Sequence, residues 1–332
     1  MPVAMARPGH FAALRSTARR ALPAPGRVRE RRVQIALGAL WLLDGLLQLQ
    51  PVMFTRRFAS GVLAPVAAGN PHLLAAPIRA AAQIVASHPV TLNALFAAIQ
   101  IVLGVALILG RAPRAALAAS LAWSLAVWWL GEGFGGVLGG RASPLSGAPG
   151  AVALYGLGAL LAWPAPAGAA TAGSVRRVGL FSAGLARLVV AAVWWLGAGL
   201  LLQPANLAPH ALATEITGAT SGEPRPLLTL VGPVAAAVGT HGRAVTLALA
   251  VAMALVALGL ASGRAPRATL AAAVAVAVGI WLFGQDLGGI LAGGATDPNS
   301  GPLLALVSLA LAGAPALPAG TDPAPRAAPA GA

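Results

Sequence analysis

The sequence predicts an all-α, polytopic membrane helical bundle of two parallel four-helix repeats, with about eight transmembrane helices. Three observations carry that expectation. Charged residues are 9% and apolar residues 58% of the 332, whereas a soluble domain carries about 25% charged residues to build its wet surface. The apolar runs are long and do not alternate, which selects helices over a barrel. Finally, the segment 33–164 recurs as 186–316. Gln50-Pro51 returns as Gln203-Pro204, Ser87-His88 as Thr240-His241, and the run Gly110 to Arg114 letter for letter as Gly263 to Arg267. Trp128, Gly131, Gly135 and Gly136 return as Trp281, Gly284, Gly288 and Gly289. Alanine richness cannot produce matched Arg, Pro, Trp, His and Gly.

In chain order, residues 1–32 form a basic arm whose only acid is Glu30, broken by Pro23 and Pro25. It is expected on the cytoplasmic side against anionic headgroups, with a transit peptide as the rival reading. Predicted spans of the first repeat are 33–50, 91–110, 114–130 and 149–164; those of the second are 186–203, 244–262, 267–283 and 302–316. A long segment follows the first span of each repeat. Within it, 72–87 and 225–240 are apolar but interrupted by Pro77 and Arg79, and by Pro226 and Pro233. These read as interfacial or re-entrant helices, with a fifth span per repeat as the alternative. Residues 165–185 are a Pro/Ala/Gly linker expected in the cytoplasm, and 317–332 a Pro/Ala tail expected to be disordered.

Every basic residue is Arg. With eight spans and a cytoplasmic N-terminus, the arm, Arg111, Arg114, Arg176, Arg177, Arg187, Arg264, Arg267 and Arg326 share the cytoplasmic side. Only Arg56, Arg57, Arg79, Arg141, Arg225 and Arg243 fall opposite, in keeping with the positive-inside rule. An even span count per repeat makes the copies parallel, and both termini cytoplasmic, in a multi-pass cell-membrane protein. The net charge of +14 is thereby explained by topology, so the bilayer and not nucleic acid is the expected partner. The absence of Cys excludes disulfides, thiolate metal sites, iron–sulfur ligation and covalent c-type haem.

Few residues can carry chemistry. Asp44 lies near the middle of the first span, where an acid costs about 2.5–3.5 kcal/mol on insertion scales and usually faces the bundle interior. The second repeat has Gly197 there. Glu132 and Asp286 close the third spans, beside Trp128 and Trp281 and before Gly-Gly turns. With Gln285 they form a candidate cavity or proton site at the non-cytoplasmic mouth; a helix stop under an aromatic belt is the competing reading. His88 and His241 hold matched positions and are the candidate metal or haem ligands, the alternative being helix starts capped by Ser87 and Thr240. Gln50, Asn93 and Gln100 are expected to hydrogen-bond between helices.

The run Gln100 to Arg111, an apolar helix with Gly104 ending at a basic turn, is similar to the second span of DoxX/DoxD-like membrane proteins, and Leu46 to Pro51 to their first. That resemblance implies a four-helix unit, here duplicated, of a kind associated with membrane redox partners and quinone-linked thiosulfate oxidation. The family's acid is replaced by Gln100 and Met253. The Trp41-to-Gly45 and Gly131-to-Gly136 motifs also resemble an uncharacterised group of actinobacterial integral membrane proteins. Three functions follow as expectations: an accessory or scaffold protein beside an extracytoplasmic or membrane redox or cell-envelope partner; a small-solute or proton-coupled transporter; and a quinone- or haem-binding oxidoreductase subunit.

Overall fold

A computed structural model describes residues 25–164, 177–220, 222–264 and 266–314. Most of the basic arm, most of the linker and the whole tail lie outside the described residues. The described residues are 77% helical. Among the described residues the only strands are the two-residue pair Arg177–Val178 and Phe181–Ser182.

The first half holds α1 (Pro25–Leu47), α2 (His72–Ser87), α3 (Pro89–Leu109), α4 (Pro113–Leu130) and α5 (Ala151–Leu161). The second holds α6 (Ala183–Leu201), α7 (Ala211–Ala219), α8 (Arg225–Ser262), α9 (Pro266–Gly279) and α10 (Ser300–Leu309). Among the described residues four stretches are long and apolar enough to cross a membrane: α3, α6, α8 and Pro266–Gly284, which continues α9. A fifth is α4 with the turn Gly133–Gly139, bent by 45°.

Local chemistry sets the boundaries. α3 and α8 end at Gly110 and Gly263, both at φ 66, the left-handed conformation that a C-terminal glycine supplies without a Cβ clash. Pro113 and Pro266 open the next helices, where a missing N–H breaks no bond. Each Gly-Arg-Ala-Pro-Arg run is therefore a helix stop and a helix start in five residues. α1 lies directly on α3 because Gly38 and Gly104 oppose each other; a Cβ on Gly104 would stand 2.7 Å from both Gly38 O and Leu42 N. α6 packs on α8 in the same manner, with Ala191, Ala198 and Ala257 buried. α4 packs on α5, α9 packs on α10, and α5 and α10 meet at the centre. Trp41, Tyr155, Trp194, Leu303 and Leu304 lie in that central core, each at most 1% exposed. The outer faces remain apolar, with Leu95, Val102 and Leu109 on α3 and Val251, Leu255 and Leu258 on α8 exposed, as lipid contact requires.

Three expectations are corrected. The span predicted over 149–164 is helical only over the 11 residues of α5, and that over 302–316 only over the 10 of α10. At 1.5 Å per residue these reach about 16 Å, half a hydrocarbon core. The non-helical Gly150 (φ 110) and Asn299 (φ 66) delay their starts. Second, no loop parts 225–240 from 244–262: they are two helices that abut in α8 across a kink at His241 (φ −127), as α2 and α3 abut at His88. Pro226 sits in the first turn, where it is harmless, and Pro233 leaves the helix unbroken. Third, Ser87 and Thr240 are not helix caps. Each hydroxyl instead donates back to a carbonyl three residues earlier, Ile84 O and Ala237 O. Arg187, expected near the cytoplasmic edge, is buried within α6 and donates to Ala314 O at 2.6 Å.

Candidate functional site

Asp44 is 1% exposed, on the face of α1 that meets the core. Its carboxyl stands beside the hydroxyl of Tyr155 on α5 and within electrostatic range of Glu132 and Asp297. No arginine is among the groups that act on it. Tyr155 is fixed by Trp41, whose ring centroid lies 4.1 Å away and whose indole N–H donates to Ser120 Oγ at 2.8 Å. Glu132 follows α4 and reaches across to α5, where its Oε1 accepts from the Val152 N–H at 3.2 Å. That bond satisfies a backbone donor at a helix start, as a capping side chain does. Glu132 Oε2 lies against Gly150, where a Cβ would approach to 2.3 Å. Asp297 arrives from the loop before α10, held by Thr296 Oγ1 at 2.8 Å and the Asn299 N–H at 2.7 Å. Burial pushes the Asp297 carboxyl above the usual carboxylate range, against the downward pull of those two donors.

Buried polar atoms are concentrated in this region: Glu132 Oε2 and, on α3, Gln100 Oε1 have no hydrogen-bond partner, and Asp44 Oδ1 and Tyr155 Oη have none beyond each other. Buried polar groups are normally paired, so a concentration of unpaired ones calls for a reason. The second half gives a contrast. Trp128 donates to Pro149 O at 2.7 Å and Trp281 to Pro298 O at 2.8 Å. Gln285 Oε1 accepts from the Gly301 N–H at 3.0 Å, as Glu132 does from Val152. This aligns Glu132 with Gln285, Val152 with Gly301 and hence Tyr155 with Leu304. Where the first half has Asp44 and Gln100, the second has Gly197 and Met253, and Met253 Cε fills the space beside Gly197. Gln285 is fully engaged: its amide donates to Pro144 O at 2.7 Å and Ser300 Oγ at 2.8 Å.

The remaining candidates fall elsewhere. After α4 and α9 the backbone makes a left-handed turn: Gly133, Phe134, Gly135 and Gly136 at φ 55, 60, 63 and 69, then Asp286, Leu287, Gly288 and Gly289 at φ 51, 55, 78 and 68. Asp286 therefore matches Gly133, not Glu132, and faces Glu223. Burial, then the neighbouring Glu223, pushes the Asp286 carboxyl up to about 6. Gln285 lines a cavity of about 340 Å³ with Leu145, Ser146, Glu215 and Asn299; Glu132, Asp286, Trp128 and Trp281 are not among its lining residues. Ser143 donates to Glu215 at 2.6 Å there. His88 and His241 are exposed at the α2–α3 break and the α8 kink. Their Nδ1 atoms lie 2.8 Å from Ser87 Oγ and 2.7 Å from Thr240 Oγ1. Among the described residues no three His, Cys, Asp or Glu are grouped to hold a metal ion. Asn93 pairs with Gln48: the Gln48 amide donates to Asn93 Oδ1 at 2.6 Å, and Asn93 Nδ2 donates to Gln48 O at 2.8 Å. Gln50 donates to Ala295 O at 3.1 Å.

Sequence reasoning named Asp44, Glu132 and Gln100 but missed Tyr155, Asp297 and Glu223. Tyr155 carried a usable signal, as the sole tyrosine of the chain and the lone hydroxyl-bearing ring in an apolar run. No family model matches the chain, and neither a curated protein nor a solved structure matches it.

Proposed function

We propose that this is a proton-coupled membrane transporter of a small solute, built from two parallel four-helix repeats with both termini cytoplasmic, in which the first repeat binds the proton. The observation that supports it most is the set of under-satisfied buried polar groups at Asp44, Gln100, Glu132 and Tyr155, whose counterparts are Gly197, Met253, Gln285 and Leu304. Packing alone would be served equally by the set without ionisable groups, as the second half demonstrates. Carboxyls enclosed together without an arginine cannot all stay ionised; they hold protons or a cation. Tyr155 gives a proton on Asp44 one neighbour to pass to, and Glu132 and, from the other half, Asp297 place two further carboxyls within electrostatic range.

Proteoliposomes loaded with a pH-sensitive dye, and given jumps of Na+, K+, a small carboxylate or an amino acid, test this reading. One of these gradients is expected to move protons in the wild type and not in Asp44→Asn. Identical traces from both proteins with every solute would contradict it.

A second reading, an accessory or scaffold protein docking a redox or envelope partner, draws on Glu132. Its hydrogen bond to Val152 has the same geometry as that of the uncharged Gln285 to Gly301, so one oxygen of the acid serves the fold.

A further inference from the structure

Glu223 and Asp286 form a second acidic site, distinct from the Asp44 cluster and independent of the transport reading. Glu223 precedes α8 and is 7% exposed; Asp286 stands in the left-handed turn after α9 and is 1% exposed. The two carboxyls come within hydrogen-bonding reach of each other, yet all four of their oxygens lack a partner. Ionised carboxylates only accept hydrogen bonds, so two of them in contact satisfy neither.

The matched place in the first half shows what the fold needs there. Asn70 corresponds to Glu223 and Gly133 to Asp286. The Asn70 amide nitrogen donates to Val66 O at 2.8 Å and approaches Gly133 O at 3.4 Å, and only Asn70 Oδ1 is left without a partner, so an uncharged pair closes the same junction with one unpaired oxygen in place of four. Changing both partners to acids leaves a net repulsion that the architecture does not require. A glycine exchanged for aspartate at a positive φ adds conformational cost in the same direction.

We propose that Glu223 and Asp286 bind a hard divalent cation of the calcium type. A single shared proton would satisfy one donor–acceptor pair and leave two buried oxygens unpartnered. A divalent ion takes all four oxygens and cancels both charges, and carboxylate oxygens are the ligands that calcium selects. No third His, Cys, Asp or Glu is grouped with them among the described residues, so water or backbone carbonyls complete the shell. Two acidic ligands place the affinity with weak modules, at a Kd of about 10⁻⁴–10⁻³ M.

Equilibrium dialysis of the purified full chain against radioactive calcium tests the site. The wild type is expected to bind one calcium per chain. Glu223→Asn with Asp286→Gly, which installs the pair used at Asn70 and Gly133, is expected to fold and to lose that ion. If the double variant does not fold, the near-isosteric Glu223→Gln is expected to show the same loss. Absence of binding by the wild type, or undiminished binding by a folded variant, would overturn the proposal.

Discussion

Asp44 and Gly197 hold matched places on α1 and α6. The space beside Gly197 is occupied by the Met253 methyl and the Pro144 ring, whereas the Asp44 carboxyl meets Tyr155 and lies within electrostatic range of two further acids. Asp44→Asn is expected to preserve folding in detergent, because the amide fills the same volume and can donate where a protonated acid would. Proton-coupled flux in proteoliposomes is expected to vanish. Glu132→Gln separates the two roles of that acid: Gln285 already caps α10 in this geometry, so the thermal midpoint should hold while flux falls. Glu132→Ala removes the bond to the Val152 N–H and should cost about 0.5–2 kcal/mol, read as earlier thermal unfolding. Asp44 is legible in the sequence because an acid within an apolar run has few benign explanations. Asp297 is not, since it sits in a polar turn far along the chain, and only the packing of the second half against the first brings it near. Glu132 and Asp286 differ by one residue in their spacing to Trp128 and Trp281, so their inequivalence is legible in the sequence. The backbone gives it a form, because the left-handed turn begins one residue after Glu132 and at Asp286 itself.

At the scale of elements, the helix stops and starts around Gly110–Pro113 and Gly263–Pro266 follow from local residue chemistry, so they are readable without a structure. The lengths of α5 and α10 are not. Hydropathy continues past their ends, and what limits them is the backbone at Gly150 and Asn299, fixed by Trp128 and Trp281 bonding to the preceding carbonyls. The junction of 225–240 with 244–262 turns on the kink at His241, while Pro233 is carried inside the first limb of α8, which residue propensity argues against. The α1–α3 crossing is the contact most sensitive to one atom. Gly104→Ala puts a methyl 2.7 Å from the α1 backbone, so the helices must separate. A loss of about 1–3 kcal/mol is expected, seen as a lower aggregation temperature in detergent. At the matched position α8 already carries an alanine, Ala257, buried in its helix, so separation and not helix disruption is the cause. An unchanged aggregation temperature would remove the claim that this pair sets the spacing.

At the scale of the whole molecule, two halves with matched tryptophan, helix-start and glycine geometry differ in polarity at their centres. In the proposed reading the first half carries the proton, with Asp297 the contribution of the second half to that site. The proposed parallel arrangement places His88 and His241 on one side of the membrane and both Gly-Arg-Ala-Pro-Arg turns on the other. The chain has no Cys, so single cysteines introduced at Ser87, Ala112 and Thr240 can be labelled with an impermeant thiol reagent in intact cells. Labelling at 87 and 240 but not at 112 is expected; labelling at only one of 87 and 240 would mean inverted halves. The most direct measurement on the central proposal is infrared spectroscopy of the reconstituted protein across pH. A proton held at Asp44 and exchanged with solvent should give a protonated-carboxyl band that shifts in deuterated water, declines as pH rises, and is missing from Asp44→Asn. A spectrum identical in the wild type and Asp44→Asn at every pH would contradict it.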